Sequence, residues 1–375
     1  MSVPLLDLRP QYDGIKAELN SAVARVIESQ HFILGPEVDA LEDEMADFLG
    51  VRHAIGCASG TDALLLSLKA LNPAEGDEAI LPAFTFFATA GAAWNAGFRP
   101  VFCDIDPVTF NVTPETVEEA WSDRTRVVIA VHLFGQMAPM SELKRFVSDR
   151  GCVLLEDAAQ SIGAQQVAGV GPGCLSVMAG AAGDAGAFSF FPTKNLGGFG
   201  DGGLVSTSDA DLAARVRKLR VHGGEQMYRH ELVGTNSRLD AIQAAVLRAK
   251  LPYLERWTGA RRANASRYRE ALDGLEGIRL PETMEGNVHV YNQYTIRAER
   301  RNDLQSHLKD RQIGTGVYYP VPLHLQECFS ELGGRKGQLP EVERACSEVL
   351  SLPIFPELGE KRQAEVSGAI TDFYT

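Results

Sequence analysis

The sequence predicts an α/β fold, with a mostly parallel sheet between helices in a large domain and a smaller C-terminal α+β domain. The chain has 375 residues, more than a single hydrophobic core usually serves. Short apolar runs alternate with helical patterns up to about residue 240, and a long helix with shorter strands follows. We therefore expect a large domain over 1–250, including an N-terminal helical segment, and a small domain over 251–375.

The N-terminal segment is predicted to be helical over 14–50. Gly35-Pro36 interrupts the helical pattern, because both residues disfavour a helix interior. Apolar side chains then recur at spacings of three and four, at Val38, Leu41, Met45 and Leu49. This spacing predicts a second amphipathic helix after the break.

The part of the chain that follows residue 50 predicts the sheet. Seven short apolar runs are typical of strands: HAIGCAS, EAILPAF, RPVFCDI, RVVIAVHLFG, CVLLEDAA, GAFSFF and GGLVSTS. Two runs between them, TDALLLSLKAL and FFATAGAAWNAG, have the composition and length of helices. Apolar strands separated by helices or turns indicate a largely parallel sheet that is covered on both faces.

After Asp240 the pattern changes. The segment 241–272 is predicted to be one long helix, bent near Pro252 because proline cannot donate the interior hydrogen bond. Two later runs, VHVYNQYTIRA and GTGVYYPVPL, are predicted to be strands that alternate with polar helices.

The composition argues against several classes of function. The net charge of −13 disfavours an electrostatic nucleic-acid binder. No run reaches about 18 apolar residues and the first residues lack a signal-peptide pattern, so we expect a cytoplasmic protein without a membrane span. Walker A, HExxH and zinc-type Cys/His spacings are absent, and we predict no metal site.

The first chemically suggestive motif is the turn Ser59-Gly60-Thr61, between a predicted strand and a predicted helix. The free amides and the dipole at a helix N-terminus attract phosphate, and Gly60 would let an anion approach the backbone. Ser59 and Thr61 could add hydroxyl donors. A plain capping box, formed by Ser59 and Asp62, explains the same residues.

The second motif is Glu156-Asp157 in CVLLEDAAQ, at the end of a buried strand. Ligands bind at this edge of open α/β sheets. A carboxylate there is costly unless a cation or hydrogen-bond donors meet it, and a protonated pyridine nitrogen would serve. Capping of a helix is the alternative role for such an Asp.

The third motif surrounds Lys194 in FSFFPTKNLGGFGDGG. Apolar and small residues flank this lysine, and desolvation favours a neutral, nucleophilic amine. Gly198, Gly200 and Gly203 match the GxGxxG pattern of dinucleotide sites. The run that follows, LVSTS, is a predicted strand and not a helix, so this motif does not predict a dinucleotide site.

The fourth motif, Asn236-Ser237-Arg238, opens the predicted long helix. Asn236 and Arg238 could hold an anion at the helix start or simply cap the helix. Ser237 with Asp240 three residues later is a candidate capping box.

Taken together and in this order, the four motifs resemble the PLP-dependent sugar aminotransferases of the DegT/StrS type. The similarity extends from LLDLRPQY and FILGPEVDALE to VYYPVPLHLQ and SLPIFP, nearly the whole chain. It implies the fold type I architecture, whose large domain has a seven-stranded sheet. It also implies pyridoxal 5'-phosphate (PLP) as cofactor and a homodimer with shared active sites.

The resemblance implies a role for each matching residue. Lys194 would bond covalently to PLP and then move protons, and Asp157 would pair with the pyridinium nitrogen. Gln160 would reach the phenolic oxygen of the cofactor, and Phe86 would stack on its ring. The implied phosphate ligands are Ser59, Gly60, Thr61 and Ser189, together with Asn236 from the neighbouring subunit.

The substrate implied by the resemblance is a nucleotide-linked keto sugar, aminated at C3, with L-glutamate as amino donor. Arg238 would meet a sugar carboxylate through a bidentate contact. Tyr318 and Tyr319 stand in the substrate loop, where many relatives have His-Tyr-Pro and this chain has Tyr-Tyr-Pro. Two alternatives stay open at this point: amination at C4, and a non-catalytic regulator on the same fold. A lysine at position 194 argues against the relatives that dehydrate sugars and carry histidine there.

Overall fold

A computed structural model describes residues 3–168, 175–224, 226 and 228–375. Its strands are β1 (His53–Cys57), β2 (Glu78–Pro82), β3 (Arg99–Cys103), β4 (Thr125–Val131), β5 (Val153–Asp157), β6 (Gln165–Ala168), β7 (Leu175–Met178), β8 (Ala185–Ser189), β9 (Gly203–Thr207), β10 (Ile278–Arg279), β11 (Asn287–Val288), β12 (Tyr294–Ala298) and β13 (Val349–Leu352).

The α-helices are α1 (Arg9–Gly14), α2 (Lys16–Ser29), α3 (Pro36–Leu49), α4 (Gly60–Ala70), α5 (Phe87–Ala96), α6 (Pro114–Glu119), α7 (Met140–Ser148), α8 (Ala210–Arg220), α9 (Ala241–Lys250), α10 (Leu254–Leu272), α11 (Arg301–Asp310), α12 (Pro340–Glu348) and α13 (Glu360–Tyr374). Short 3-10 turns occupy Leu133–Gly135, Leu251–Tyr253, Leu323–Leu325 and Glu327–Leu332. Across the described ranges, no helix is both long and apolar enough to cross a membrane.

The central sheet has seven strands in the order β1-β9-β8-β5-β4-β2-β3. Each of the seven apolar runs in the sequence forms one of them. Only β9 runs antiparallel to its neighbours in this sheet, and the other pairs are parallel. The predicted α/β fold with a mostly parallel seven-stranded sheet is therefore confirmed.

Helices cover both faces of this sheet. Leu154 and Leu155 are adjacent in β5 and point to opposite faces, and both are buried. Leu154 belongs to a core shared with α3, α7 and α9, whereas Leu155 belongs to a core shared with α4, α5 and α8. Burial on both faces is the reason that the strands are continuous apolar runs.

The predicted break at Gly35-Pro36 is confirmed, and the predicted long helix is interrupted at Pro252. α2 ends at Ser29, and α3 begins at Pro36 after Gly35, whose φ of 82° is in the left-handed region that favours glycine. The long C-terminal helix is divided into α9 and α10 by the 3-10 turn that contains Pro252.

The C-terminal part builds a core of its own. β10, β12 and β13 form a three-stranded sheet, and Tyr294 of β12 is fully buried together with Tyr268 and Phe355. Val3, near the start of the chain, packs into the same core and pairs with Ile313. A domain division at residue 250 stays a prediction.

Two features differ from the sequence-based expectations. The predicted strand GTGVYYPVPL is wrong: only Gly316 forms a bridge, to Ser351, because Pro320 and Pro322 cannot donate ladder hydrogen bonds. The antiparallel pair β6 and β7, with β11 beside β6, has no counterpart among the predicted strands.

Candidate active site

Charged and polar side chains meet where neighbouring strands of the sheet end. β5 and β8 are parallel neighbours, and Asp157 and Ser189 are their last residues. Lys194 follows in a turn that is closed by a hydrogen bond from its backbone N–H to the carbonyl oxygen of Phe191 (2.8 Å). The carboxyl ends of parallel strands share one edge, so the fold brings the predicted carboxylate and amine into one site.

Asp157 is buried and accepts two hydrogen bonds. Its Oδ2 accepts from the Thr89 hydroxyl (2.7 Å), and its Oδ1 accepts from the Ala159 backbone N–H (3.2 Å). Burial raises the pKa of Asp157, while Thr89, Ala159 and the charge of Lys194 act in the opposite direction. A further cation beside this carboxylate would favour its ionised form.

Glu156 points to the other face of the sheet, because consecutive strand residues alternate. Its side chain is fully buried and each of its oxygens accepts two hydrogen bonds. The donors are His132 Nε2 (2.7 Å) and the backbone N–H groups of Gly180 (2.8 Å), Ala182 (2.8 Å) and Gly183 (2.6 Å). The acceptor capacity of Glu156 is therefore used within the fold, which separates its role from that of Asp157.

Lys194 is only partly exposed, and its surroundings change its protonation. Desolvation lowers the pKa of Lys194 to about 8, and the nearby Asp157 carboxylate opposes this shift. The ordinary value for lysine is 10.5. A much larger fraction of this amine is therefore neutral, and so nucleophilic, near neutral pH than for a lysine in solvent.

The predicted phosphate residues lie together beside this pair. Ser59 is the N-cap of α4, and its hydroxyl accepts a hydrogen bond from the Asp62 backbone N–H (3.1 Å). A Cβ at Gly60 would lie 2.6 Å from the Ser189 Cβ, so only glycine fits this close approach. The first N–H groups of α4, at Gly60 and Thr61, have no acceptor within the helix. They form a place where an anion is stabilised.

Phe86 and Gln160 form another part of the site. The Phe86 ring is 57 % exposed, and its centroid lies 6.1 Å from that of Tyr319. Gln160 Oε1 accepts from the Phe134 backbone N–H (2.7 Å), and its Nε2 donates to the Tyr319 hydroxyl (3.0 Å). Phe134 thus fixes the orientation of the Gln160 amide. Tyr318 packs against Tyr319, with their ring centroids 6.0 Å apart.

Asn236 and Arg238 lie on an extended segment at the edge of the sheet. Arg238 forms a bridge with Cys57, and Asn236 forms a bridge with Val221. Asn236 is exposed, and the Nε of Arg238 is buried without a hydrogen-bond partner among the described residues. Within the part of the chain that is described, neither side chain makes a hydrogen bond or ion pair with Lys194 or Asp157.

The predicted capping role of Ser237 is wrong. α9 begins at Ala241, and Asp240 is its N-cap, with its Oδ1 accepting from the Gln243 backbone N–H (2.9 Å). The Ser237 hydroxyl instead donates to the Asp62 carboxylate (2.7 Å) and accepts from the Ala58 backbone N–H (3.3 Å). Ser237 therefore ties the extended segment to the turn that precedes α4, and Asp62 completes no capping box.

A cavity of about 750 Å³ opens beside Arg238. Its lining includes His222, Tyr228, His230 and Val233. The side chains of Tyr228 and Val233 are 88 % and 90 % exposed. Glu225 and Met227 lie outside the described residues.

Sequence reasoning missed two residues that shape the site. Thr89, which donates to Asp157, lies one helical turn after Phe86, and nothing in its local sequence marks it. Phe134, which holds Gln160, has a φ of 60° that is uncommon for a bulky residue. No group of three or more potential metal ligands occurs among the described residues.

Comparison with known proteins decides the family. Residues 13–371 match the DegT/DnrJ/EryC1/StrS aminotransferase family. The chain belongs to this family. Members use PLP, and the chain is a fold type I aminotransferase. A crystal structure of Streptomyces venezuelae DesV in complex with a ketimine intermediate has a TM-score of 0.95 and 42 % identity, covering 100 % of this chain and 98 % of that one.

Two curated relatives span almost the same length. A UDP-N-acetyl-3-dehydro-alpha-D-glucosamine 3-aminotransferase of Acidithiobacillus ferrooxidans is 42 % identical, with 98 % of this chain and 97 % of the relative covered. A Geobacillus stearothermophilus protein named "Pleiotropic regulatory protein" is 48 % identical, with 100 % and 99 % covered. The Geobacillus stearothermophilus name matches the regulatory alternative, and the Acidithiobacillus ferrooxidans name matches the enzymatic one.

The residues of this family member fit PLP. A buried carboxylate, Asp157, has its pKa raised by burial and would be stabilised by a pyridinium. Phe86 presents an exposed ring. Gly60 lies close to Ser189, and the backbone amides at the start of α4 are available there to an anion. Lys194 supplies an amine with a pKa of about 8. This cofactor needs a carboxylate for its ring nitrogen, an aromatic side chain against its ring, a site for its phosphate and a nucleophilic amine, and these residues provide all four.

Proposed function

We propose that this chain transfers an amino group from L-glutamate to the C3 keto group of a nucleotide-linked sugar, using PLP. The observation that carries the proposal is the juxtaposition of Asp157 and Lys194 at the carboxyl edge of the sheet. The two residues are complementary parts of one PLP site: Asp157 is a buried carboxylate that needs a cation, and Lys194 is a desolvated lysine that tends to be neutral.

Within this proposal, the chain holds the cofactor at several points. Asp157 would keep the ring nitrogen protonated, Phe86 would cover one ring face, and Gln160 would donate from its oriented amide to the phenolic oxygen. The phosphate ligands would be Ser59, Gly60, Thr61 and Ser189. PLP supplies an electron sink for the carbon that exchanges a proton. This sink works only while the ring nitrogen is protonated.

Lys194 would perform the proton transfer. When PLP is bound, this amine would hold the cofactor, and once the amino donor has taken its place it would take and return a proton. A pKa of about 8 suits both directions, since general acid–base catalysis is most efficient near the working pH. The Asp157 charge raises the pKa of Lys194 and so increases the protonated fraction of the amine.

The substrate assignment is supported by relatives and by the site. The Acidithiobacillus ferrooxidans relative is named as a 3-aminotransferase of a UDP-linked sugar. Tyr319 accepts a hydrogen bond from Gln160, which leaves its own O–H free to donate. Burial raises the pKa of Tyr319, so this hydroxyl stays protonated. We infer that Tyr319, with Tyr318 beside it, contacts the sugar.

A homodimer with shared sites is part of the proposal. Asn236 is exposed, and Tyr228 and Val233 are among the most exposed apolar side chains of the described residues. Such exposed apolar groups beside a cavity suit a covering partner. Asn236 would reach the partner's phosphate site, and Arg238 would meet a sugar carboxylate.

Five free thiols among the described cysteines fit a cytoplasmic location.

Two other functions are distinguished by one assay. Purified protein is incubated with PLP, L-glutamate and a panel of UDP- and dTDP-linked 3-keto and 4-keto sugars, and products are identified by mass spectrometry and NMR. Amination at C3 is expected. Amination at C4 would assign the other regiochemistry. Absence of both product and PLP uptake would favour the regulator to which the Geobacillus stearothermophilus name points.

A further inference from the structure

The segment that follows Lys194 needs support from outside itself. Five of the seven residues from Gly197 to Gly203 are glycine. No helix or strand occurs between Ser189 and Gly203, although this whole stretch is described. Glycine loses more conformational freedom on folding than other residues. Interactions from another element must therefore fix the position of this segment.

The first such interaction comes from Gln243 on α9. Its Oε1 accepts a hydrogen bond from the Phe199 backbone N–H (2.7 Å). In its present position the same carboxamide crowds any side chain at Gly198 and Gly200. A Cβ there would lie 2.8 Å from its Oε1 and 3.2 Å from its Nε2, respectively. The glycines and Gln243 are thus matched in shape.

The second interaction comes from Lys250, at the other end of α9. Its Nζ donates to the carbonyl oxygen of Gly197 (2.6 Å) and lies 5.0 Å from the ring centroid of Phe199. Only 5 % of the Lys250 surface is exposed. Two side chains that are two turns apart on one helix therefore hold the backbone at positions 197 and 199.

Burying the Lys250 amine costs free energy, and a residue that only fills space would not need an amine. Among the described residues, no carboxylate pairs with it, and desolvation lowers its pKa to about 8. An apolar side chain of similar length would avoid the cost of burying an amine. What the amine adds is a directed hydrogen bond to the Gly197 carbonyl oxygen.

The position of Gly197 is transmitted directly to Lys194. A Cβ at Gly197 would clash with the Pro192 carbonyl oxygen, and the Gly198 N–H donates to the Phe190 carbonyl oxygen (2.8 Å). Residues 190–198 thus form one compact turn with Lys194 at its centre. We propose that Gln243 and Lys250 are positioning residues, which hold this turn so that the Lys194 amine meets the cofactor.

This inference rests on the proposed function, because it assumes that Lys194 bonds to PLP. The experiment measures the rate at which PLP-free protein captures PLP covalently, followed by absorbance. A displacement of about 1 Å at a reacting group can cost roughly 100-fold in rate. We expect Lys250→Met and Gln243→Leu each to slow capture by roughly 10- to 100-fold. Lys250→Arg, which keeps a donor, should retain part of the rate.

A second measurement separates positioning from general damage. In a Lys194→Ala background, where PLP binds without a covalent bond, Lys250→Met should leave the PLP dissociation constant unchanged within about twofold. The control for the capture experiment is Arg248→Met, on the same helix and in the chain that keeps Lys194. Arg248 pairs with Glu37 and Glu44 and does not contact the turn, so its loss should lower stability without slowing capture.

Three results would overturn the inference. Wild-type capture rates in both Lys250→Met and Gln243→Leu would show that the turn needs neither contact. An equal loss of PLP affinity in the Lys194→Ala background would show that Lys250 supports the cofactor pocket as a whole. Failure of the unaltered chain to capture PLP would overturn the proposed function and this inference with it, whereas the first two results would leave that function standing.

Discussion

The neighbouring carboxylates Glu156 and Asp157 should respond to amide substitution in opposite ways. Glu156→Gln keeps one carbonyl oxygen but places an NH₂ group against two of the four donors that now point at the carboxylate. Each hydrogen bond to a charged group contributes about 1.5–3 kcal/mol. Loss of two such bonds should lower the free energy of unfolding by about 3–6 kcal/mol.

Asp157→Asn should have a small effect on folding and a large effect on turnover. The amide oxygen can still accept from the Thr89 hydroxyl, and only the 3.2 Å contact with Ala159 is lost. The expected destabilisation is about 1.5 kcal/mol, the lower end of that range, because the lost contact is long and a neutral amide costs less to bury than a carboxylate. Turnover should fall by roughly 10²–10³-fold, because a neutral amide does not keep the cofactor ring protonated.

The assay is urea unfolding of the PLP-free proteins at one fixed protein concentration, combined with steady-state kinetics of the PLP-loaded proteins. Normal stability in Glu156→Gln would contradict its structural role. Normal turnover in Asp157→Asn together with an inactive but stable Glu156→Gln would show that the roles of the two carboxylates are reversed.

Four further predictions concern the amine, its pH dependence, the dimer and the sugar. Lys194→Ala should abolish transamination while the protein still binds PLP without a covalent bond, and Lys194→Arg should fail equally because a guanidinium stays protonated; steady-state assays that detect wild-type activity in either would contradict this. The rate of covalent PLP capture should rise with pH and pass its half-maximum near pH 8, since only the neutral amine attacks and the pKa of Lys194 is about 8. Asp157→Asn should move this midpoint to lower pH, because the carboxylate raises that pKa; a midpoint near 10.5 in the unaltered protein would show an unperturbed amine. Mixing Asn236→Ala with Lys194→Ala subunits should restore part of the activity, since one site of each mixed dimer receives two intact contributions; no recovery despite confirmed subunit exchange would rule out shared sites. Arg238→Ala should remove a charge-assisted contact of about 2–3 kcal/mol, which would raise the KM for a carboxylated sugar and hardly change the KM for a 6-deoxy sugar. An equal rise in KM for both sugars would assign Arg238 another role.

Local sequence patterns predicted much of the fold because the responsible interactions are local. The seven strands are short apolar runs, and Pro252 marks the interruption between α9 and α10. The pair of β6 and β7 was not predicted: each strand has only four residues. β6 also pairs with β11, whose residues lie more than 100 positions away. The run GTGVYYPVPL has apolar content typical of a strand, but its two prolines remove the donors that a ladder needs.

The site was predicted in its parts but not in its connections. Lys194 and Asp157 could be identified from their flanking residues, and alternation along β5 separates Asp157 from Glu156 only once the direction of one side chain is known. Thr89 and Phe134 became visible only in three dimensions, because their hydrogen bonds to Asp157 and Gln160 cross between elements. Their own sequence neighbourhoods carry no pattern that indicates these contacts.

The most direct test of the central assignment is to locate the covalent bond to PLP. The PLP-loaded protein is reduced with borohydride, digested, and analysed by mass spectrometry. Lys194 should carry the cofactor mass, although the pKa of Lys250 is also lowered to about 8 and its amine is also buried. Modification of Lys250 or another lysine, or no modified peptide at all, would contradict the account.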